Sequence, residues 1–158
     1  MRIALALLLL TGSSALAGTT DIQMQTRQVL DAYARGDSAG VLALSDPEAI
    51  TVYGSDAAEV FHGAAALKTM LANDQRLWGG AAQIGPIDHV NLVETKDLAS
   101  IFFDAPFSVG GRPPLPVRFA MTWRRTGKRW LLVQSSNVVP TQGQSARQLL
   151  EGSGKAPR

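Results

Sequence analysis

Apolar positions recur at two different periods along this chain, and the change of period divides it. In "DIQMQTRQVLDAYARGD", Ile22, Val29, Leu30 and Tyr33 fall near helical spacing. Asp21 caps the start of this predicted helix and Gly36 ends it. "DSAGVLALS" predicts a short second helix with Asp37 as its cap. The β-branched run Ala49 to Tyr53 predicts a strand, and "AEVFHG" a second short strand or hairpin arm. "GAAALKTMLANDQRLWGG" returns to the helical period, with Leu67, Met70, Leu71, Leu77 and Trp78 as its apolar stripe and Gly79-Gly80 as its stop. Beyond that point alternation takes over. Segments 83–95, 98–107, 115–125 and 129–139 read as strands joined by short polar or Gly/Pro-rich turns. Residues 146–158 predict one short helix and a frayed end. Helices first and antiparallel strands afterwards specify an α+β fold, a curved sheet with helices over one face.

Alternation also proposes a register. A connection centred near Gly111 pairs Phe103 with Phe119, Ile101 with Met121 and Ala99 with Trp123 on one continuously apolar face. The opposite face pairs Phe102 with Ala120 and Ser100 with Thr122, and sets Asp104 against Arg118. Asp104 lies in the apolar run "IFFDAPF", where an ionised carboxylate needs a partner. The expected reading is an Asp104–Arg118 ion pair on the outer face or a dimer surface; the alternative is a place in a ligand site. For the next hairpin, a turn at Thr126-Gly127 sets Trp123 against Trp130, Met121 against Leu132 and Phe119 against Gln134. In that register Gln134 and Ser136 point inward, Asn137 points outward, and the apolar lining turns polar toward one end, as at a pocket mouth.

The N-terminus changes the picture of where this domain works. Arg2, the apolar run Ile3 to Leu10 and the "ALA" at Ala15 to Ala17 have the order of a secretory signal peptide over residues 1–17. The expected location is therefore secreted or periplasmic. The apolar run is shorter than the roughly 18 residues a membrane helix needs, so no membrane anchor is expected. The chain has no Cys, hence neither disulfide nor lipidated cysteine. Without Arg2 the 15 basic residues become 14 against 13 acidic ones, a net charge of +1. Such a balance offers no broad footprint for nucleic acid, and the basic "RRTGKR" reads as a hairpin tip. With 46% hydrophobic and 18% charged residues among 158, one packed domain is expected.

Two segments carry a resemblance. "FAMTWRRTGKRWLLVQSSN" resembles the closing hairpin of the nuclear transport factor 2-like superfamily. "YGSDAAEVFHGAAALKTML" resembles the strand, turn and helix of its SnoaL-like branch, with Gly63 opening the third helix. The resemblance implies a cone over residues 18–145: a strongly bent sheet wrapped on about three helices, with a pocket at the open end, often dimeric. Its members include polyketide cyclases, isomerases, dehydratases and non-enzymatic binding or assembly domains, so fold leaves function open.

Within that frame, His62 falls near the expected pocket mouth and has a suitable unperturbed pKa for a general base. Asp104 is the second catalytic candidate. Tyr53, Trp78, Gln134 and Ser136 are the candidate ligand contacts. Asp56 and Glu59 read as solvated turn residues, and His89 as an exposed strand residue. The two histidines have no metal-ligand spacing, and no G-x-S-x-G is present. Neither metal nor cofactor is therefore expected. The expected function is binding of a small, largely apolar molecule by a homodimer. The alternatives are a cofactor-free lyase or isomerase, and a non-catalytic assembly module.

Overall fold

Thr20, and not Asp21, starts the first helix of the computed structural model, which describes residues 20–140 and 145–152. The Thr20 hydroxyl accepts the Gln23 N–H at 3.2 Å, and the Gln23 side chain accepts the Thr20 N–H at 3.0 Å. That reciprocal box uses two of the unpaired donors at the start of a helix. Helix α1 runs Asp21–Ala34, and α2, capped by Asp37 as expected, runs Ser38–Leu44. Strands β1 (Thr51–Tyr53) and β2 (Val60–His62) lead into α3 (Gly63–Trp78). Leu77 is 70% exposed, so it leaves the stripe of α3, which buries Leu67 and Leu71. The expected signal segment, residues 1–17, lies outside the described residues.

The segment expected as one strand, 83–95, forms two: β3 (Ala82–Ile84) and β4 (Asp88–Glu94). Pro86 between them has no N–H to give a ladder. At Gly85 the backbone passes so close to Pro106 that an added Cβ would lie 2.5 Å from its ring. Both short strands pair with the long β5 (Leu98–Val109), β3 at its far end and β4 at its near end. Strands β6 (Leu115–Thr126) and β7 (Arg129–Val138) complete a curved, open sheet ordered β2-β1-β7-β6-β5-β3, with β4 also on β5. The pairing of β1 with β7 is parallel, which corrects an all-antiparallel expectation. A short α4, Ala146–Gly152, follows.

The β5–β6 register is as alternation proposed, from Ala99↔Trp123 to Asp104↔Arg118. Its inner face, Ala99, Ile101, Phe103, Val117, Phe119, Met121 and Trp123, is buried in one cluster with Ile22, Val29, Leu30, Leu67 and Leu71 of the helices. Phe103 and Phe119 stack with centroids 5.0 Å apart.

The β6–β7 register differs from expectation. The loop is Gly127-Lys128, with Gly127 at φ 62, so Trp123 faces Leu132 and not Trp130. The pairing then jumps from Trp123↔Leu132 to Thr122↔Gln134, leaving Val133 as an extra residue on β7. Such a bulge inverts alternation beyond it. Gln134 and Ser136 therefore face outward, opposite Thr122 and Ala120, while Ser135 and Asn137 face inward. This corrects the expected faces of all three residues Gln134, Ser136 and Asn137.

Candidate functional site

Between the helices and the inner face of the sheet lies a partly open cavity of about 270 Å³. Its apolar wall comes from every layer: Leu30 of α1, Val41 of α2, Leu67 and Leu71 of α3, Val117, Phe119 and Met121 of β6, Leu132 of β7. Phe107 and Leu115 lie toward one end of the sheet, where Leu115 is 52% exposed. Apolar walls with a few converging polar groups are the usual makeup of a small-molecule site.

The polar groups converge from α1 and α3. Helical periodicity carries Tyr33 onto the face that buries Val29 and Leu30. Asp74 and Trp78 stand one turn apart on α3, continuing the line of Leu67 and Leu71. The Trp78 indole N–H donates to the Tyr33 hydroxyl at 3.0 Å, and that hydroxyl donates to Asp74 Oδ2 at 2.9 Å. No described residue donates to Asp74 Oδ1. Trp78 also sets its ring edge-on to Phe107, centroids 5.5 Å apart. Glu59 lines the same cavity from the loop before β2, its Oε2 accepting the Asp56 N–H at 3.0 Å.

The electrostatics agree with this placement. Burial, then the neighbouring Asp74 charge, pushes the Tyr33 hydroxyl well above its ordinary range. Burial also raises the Asp74 carboxyl; the Tyr33 hydrogen bond opposes that rise and the Glu59 charge adds to it. Both groups are held toward their neutral forms, as expected where negative charge is poorly solvated.

Of the ligand contacts expected from the sequence, the cavity takes in Trp78; Glu59, expected as a solvated turn residue, and Asn137, expected to point outward, line it as well. Tyr53 is 49% exposed on β1, edge-on to His62 at 6.4 Å, and does not line the cavity. His62 occupies the N-cap position of α3 without capping it, exposed, its Nδ1 3.1 Å from Thr51 Oγ1. Asp104 lies on the outer face with Arg118 Nε at 2.9 Å and His89 Nδ1 at 3.2 Å. The Arg118 hydrogen bond, above all, holds the Asp104 carboxyl below the usual range. Gln134 and Ser136 are on that outer face for the reason given by the bulge. The structure thus brings neither His62 nor Asp104 to the cavity.

Asp74, Tyr33 and Glu59 take their place at the polar end. A signal for Asp74 was present: counted from Leu67, Met70 and Leu71, position 74 belongs to the apolar stripe, where a carboxylate is out of place. Among the described residues no group of three or more His, Asp or Glu side chains is arranged to hold a metal ion. Chemically, the site offers two carboxylates, Asp74 and Glu59, each with one oxygen to which no described residue donates, a tyrosine that orients Asp74, and mostly apolar walls.

No curated protein matches the sequence. Solved structures do. A protein of the nuclear transport factor 2-like fold and unknown function from Pseudomonas putida KT2440 superposes with a TM-score of 0.71 at 17% identity, over 82% of this chain and 90% of that one. Another with a cystatin-like fold, from Novosphingobium aromaticivorans, gives 0.66 at 18% identity, over 82% and 86%. A candidate dehydratase of the same fold family from Streptomyces avermitilis gives 0.66 at 16% identity, over 75% and 93%. At such identities these likenesses speak for the fold alone. The model of the SnoaL-like domain matches residues 22–142, which span α1 through β7 and the whole cavity, and the chain belongs to that family.

Proposed function

We propose that this protein binds a small, largely apolar molecule in the cavity, with the ligand's polar group placed against Asp74. The observation that carries this reading is the 270 Å³ space itself, its walls mostly apolar, with Tyr33, Asp74 and Trp78 meeting at one polar end. Its volume is slightly under the usual range of about 300–1,000 Å³ for such sites, which suits a compact one- or two-ring molecule. The test is calorimetric titration with small aromatic alcohols. Saturable binding is expected in the parent protein and its loss in Val117→Trp, whose added rings occupy the space. Equal heats from both folded proteins would refute the reading.

The raised pKa of Asp74 favours a second reading, cofactor-free proton transfer as in a lyase or isomerase. Asp74 is the proton carrier in that reading, and Tyr33 positions it. Asp74→Asn is expected to abolish turnover of an enolisable ketone while the cavity still takes up ligand. Undiminished turnover in that variant would exclude Asp74 as the proton carrier.

Two further proposals concern the setting. The signal-like pattern of residues 1–17 supports export, checked by N-terminal sequencing of the mature protein, with Gly18 expected first. The outer face of the sheet exposes Val93 (62%), Leu98 (50%), Phe102 (54%) and Val138 (51%), which supports a homodimer through this face. Phe102→Glu is expected to halve the mass measured by light scattering. An unchanged mass in that variant would remove this face from the assembly.

A further inference from the structure

The cavity is one-sided in charge. Two carboxylates, Asp74 and Glu59, line it, and no Lys, Arg or His does so among the described residues. Hydrogen bonding adds to this bias. The Trp78 N–H is spent on Tyr33 and the Tyr33 O–H on Asp74, so the two donors nearest Asp74 point into the protein's own network. At the two carboxylates what remains for a ligand is one acceptor each, Asp74 Oδ1 and Glu59 Oε1, to neither of which any described residue donates. The donors that line the space, Asn137 and Ser135 of β7 and Ser55 after β1, are neutral, and a carboxylate meets like charge from Asp74 and Glu59. An ammonium group meets two acceptors and supplies the counter-charge that a poorly solvated carboxylate lacks. The rings of Trp78 and Phe107, edge-on at 5.5 Å, stand on the same side of the space and add faces suited to a cation.

Building on the ligand-binding reading, we infer that the cavity is selective for a small apolar amine, taken up as its ammonium ion. The nitrogen donates to Asp74 Oδ1, Glu59 lies within its field, and the apolar body extends along Leu71, Val117 and Phe119. Selectivity comes from two carboxylates that no described cationic side chain faces across the cavity, because the apolar walls serve an amine, an alcohol or an acid of the same skeleton equally.

The experiment compares three molecules of one shape: 2-phenylethylamine, 2-phenylethanol and 3-phenylpropionate. Each is titrated calorimetrically at neutral pH and low salt into the parent protein, Asp74→Asn and Glu59→Gln, with folding checked by circular dichroism. In the parent protein the amine is expected to bind about tenfold or more tightly than the alcohol, with the acid weakest, the worth of one charged hydrogen bond. In Asp74→Asn the amine-to-alcohol affinity ratio is expected to fall toward unity, and in Glu59→Gln to fall part of the way. An alcohol that binds as tightly as the amine in the parent protein overturns the inference while leaving the ligand-binding reading in place. So does a ratio that Asp74→Asn leaves unchanged. If none of the three binds, the ligand-binding reading and this inference fail together.

Discussion

Three aspartates in this chain occupy three electrostatic settings, and the differences come from what each faces. Asp46, with its side chain 8% exposed, accepts the N–H groups of Glu48 (3.1 Å) and Ala49 (2.9 Å) and takes Arg124 at 2.5 Å. These bonds, the Ala49 one foremost, lower its pKa. Its contribution to stability is therefore present above the ordinary aspartate pKa of about 4 and is lost as pH falls through the depressed folded value. Asp46→Asn, which keeps an acceptor for the two N–H groups, is expected to flatten the acid limb of a melting-temperature profile. Asp46→Ala strips those backbone donors as well and should cost about 1–3 kcal/mol in chemical denaturation.

Asp74 has the opposite sign. Its raised pKa means that the protonated form is the one the fold favours, so stability is lost as pH rises through that raised value. Asp74→Asn is expected to melt above the parent protein at neutral pH, with the difference shrinking as pH falls from the raised folded value toward the ordinary aspartate value of about 4. A difference that grows on acidification would contradict this placement. Asp104, on the outer face, is held by Arg118. Alanine at either position should give small, similar losses that do not add in the double variant, as a denaturation cycle would register.

At the scale of elements, β7 decides what the cavity can present. Trp130 and Leu132 face the core by simple alternation, and Val133 then breaks it. One surplus residue exchanges Gln134 and Ser136 for Ser135 and Asn137 on the inner face. The chain has no cysteine, so single labels are clean. Ser136→Cys is expected to react with a maleimide at the same rate with and without cavity ligand, and Asn137→Cys to be protected by it. The reverse pattern would restore the unbulged register. A second element-scale link joins α1 to the sheet: Arg27 donates to the carbonyl of Gly85 at 2.7 Å and to that of Ile84 at 3.2 Å, where the chain passes from β3 to β4. It thereby holds Ile84, a cavity-lining residue, against the helix.

For the whole molecule, helices and sheet share one apolar cluster around the cavity, so the empty space is compatible with a firm fold only because the rest is well filled. Phe103, 2% exposed and stacked on Phe119, belongs to the filled part. Phe103→Ala is expected to cost about 3–5 kcal/mol in urea denaturation.

Alternation and helical period by themselves determined the α+β class, the order of elements, the β5–β6 register and the Asp104–Arg118 pairing. These follow from short-range rules: side chains repeat every two residues in a strand and every 3.6 in a helix, and a hairpin carries its register from its own turn. The tertiary structure alone decided the parallel β1–β7 pairing, the split of 83–95 around Pro86, and the bulge at Val133. It also decided the meeting of Tyr33, Asp74 and Trp78 across 41 and 45 residues of chain. A bulge depends on how the strand must bend to stay on the helices, and a cavity on which faces meet. Neither quantity is local, so no window of sequence contains it.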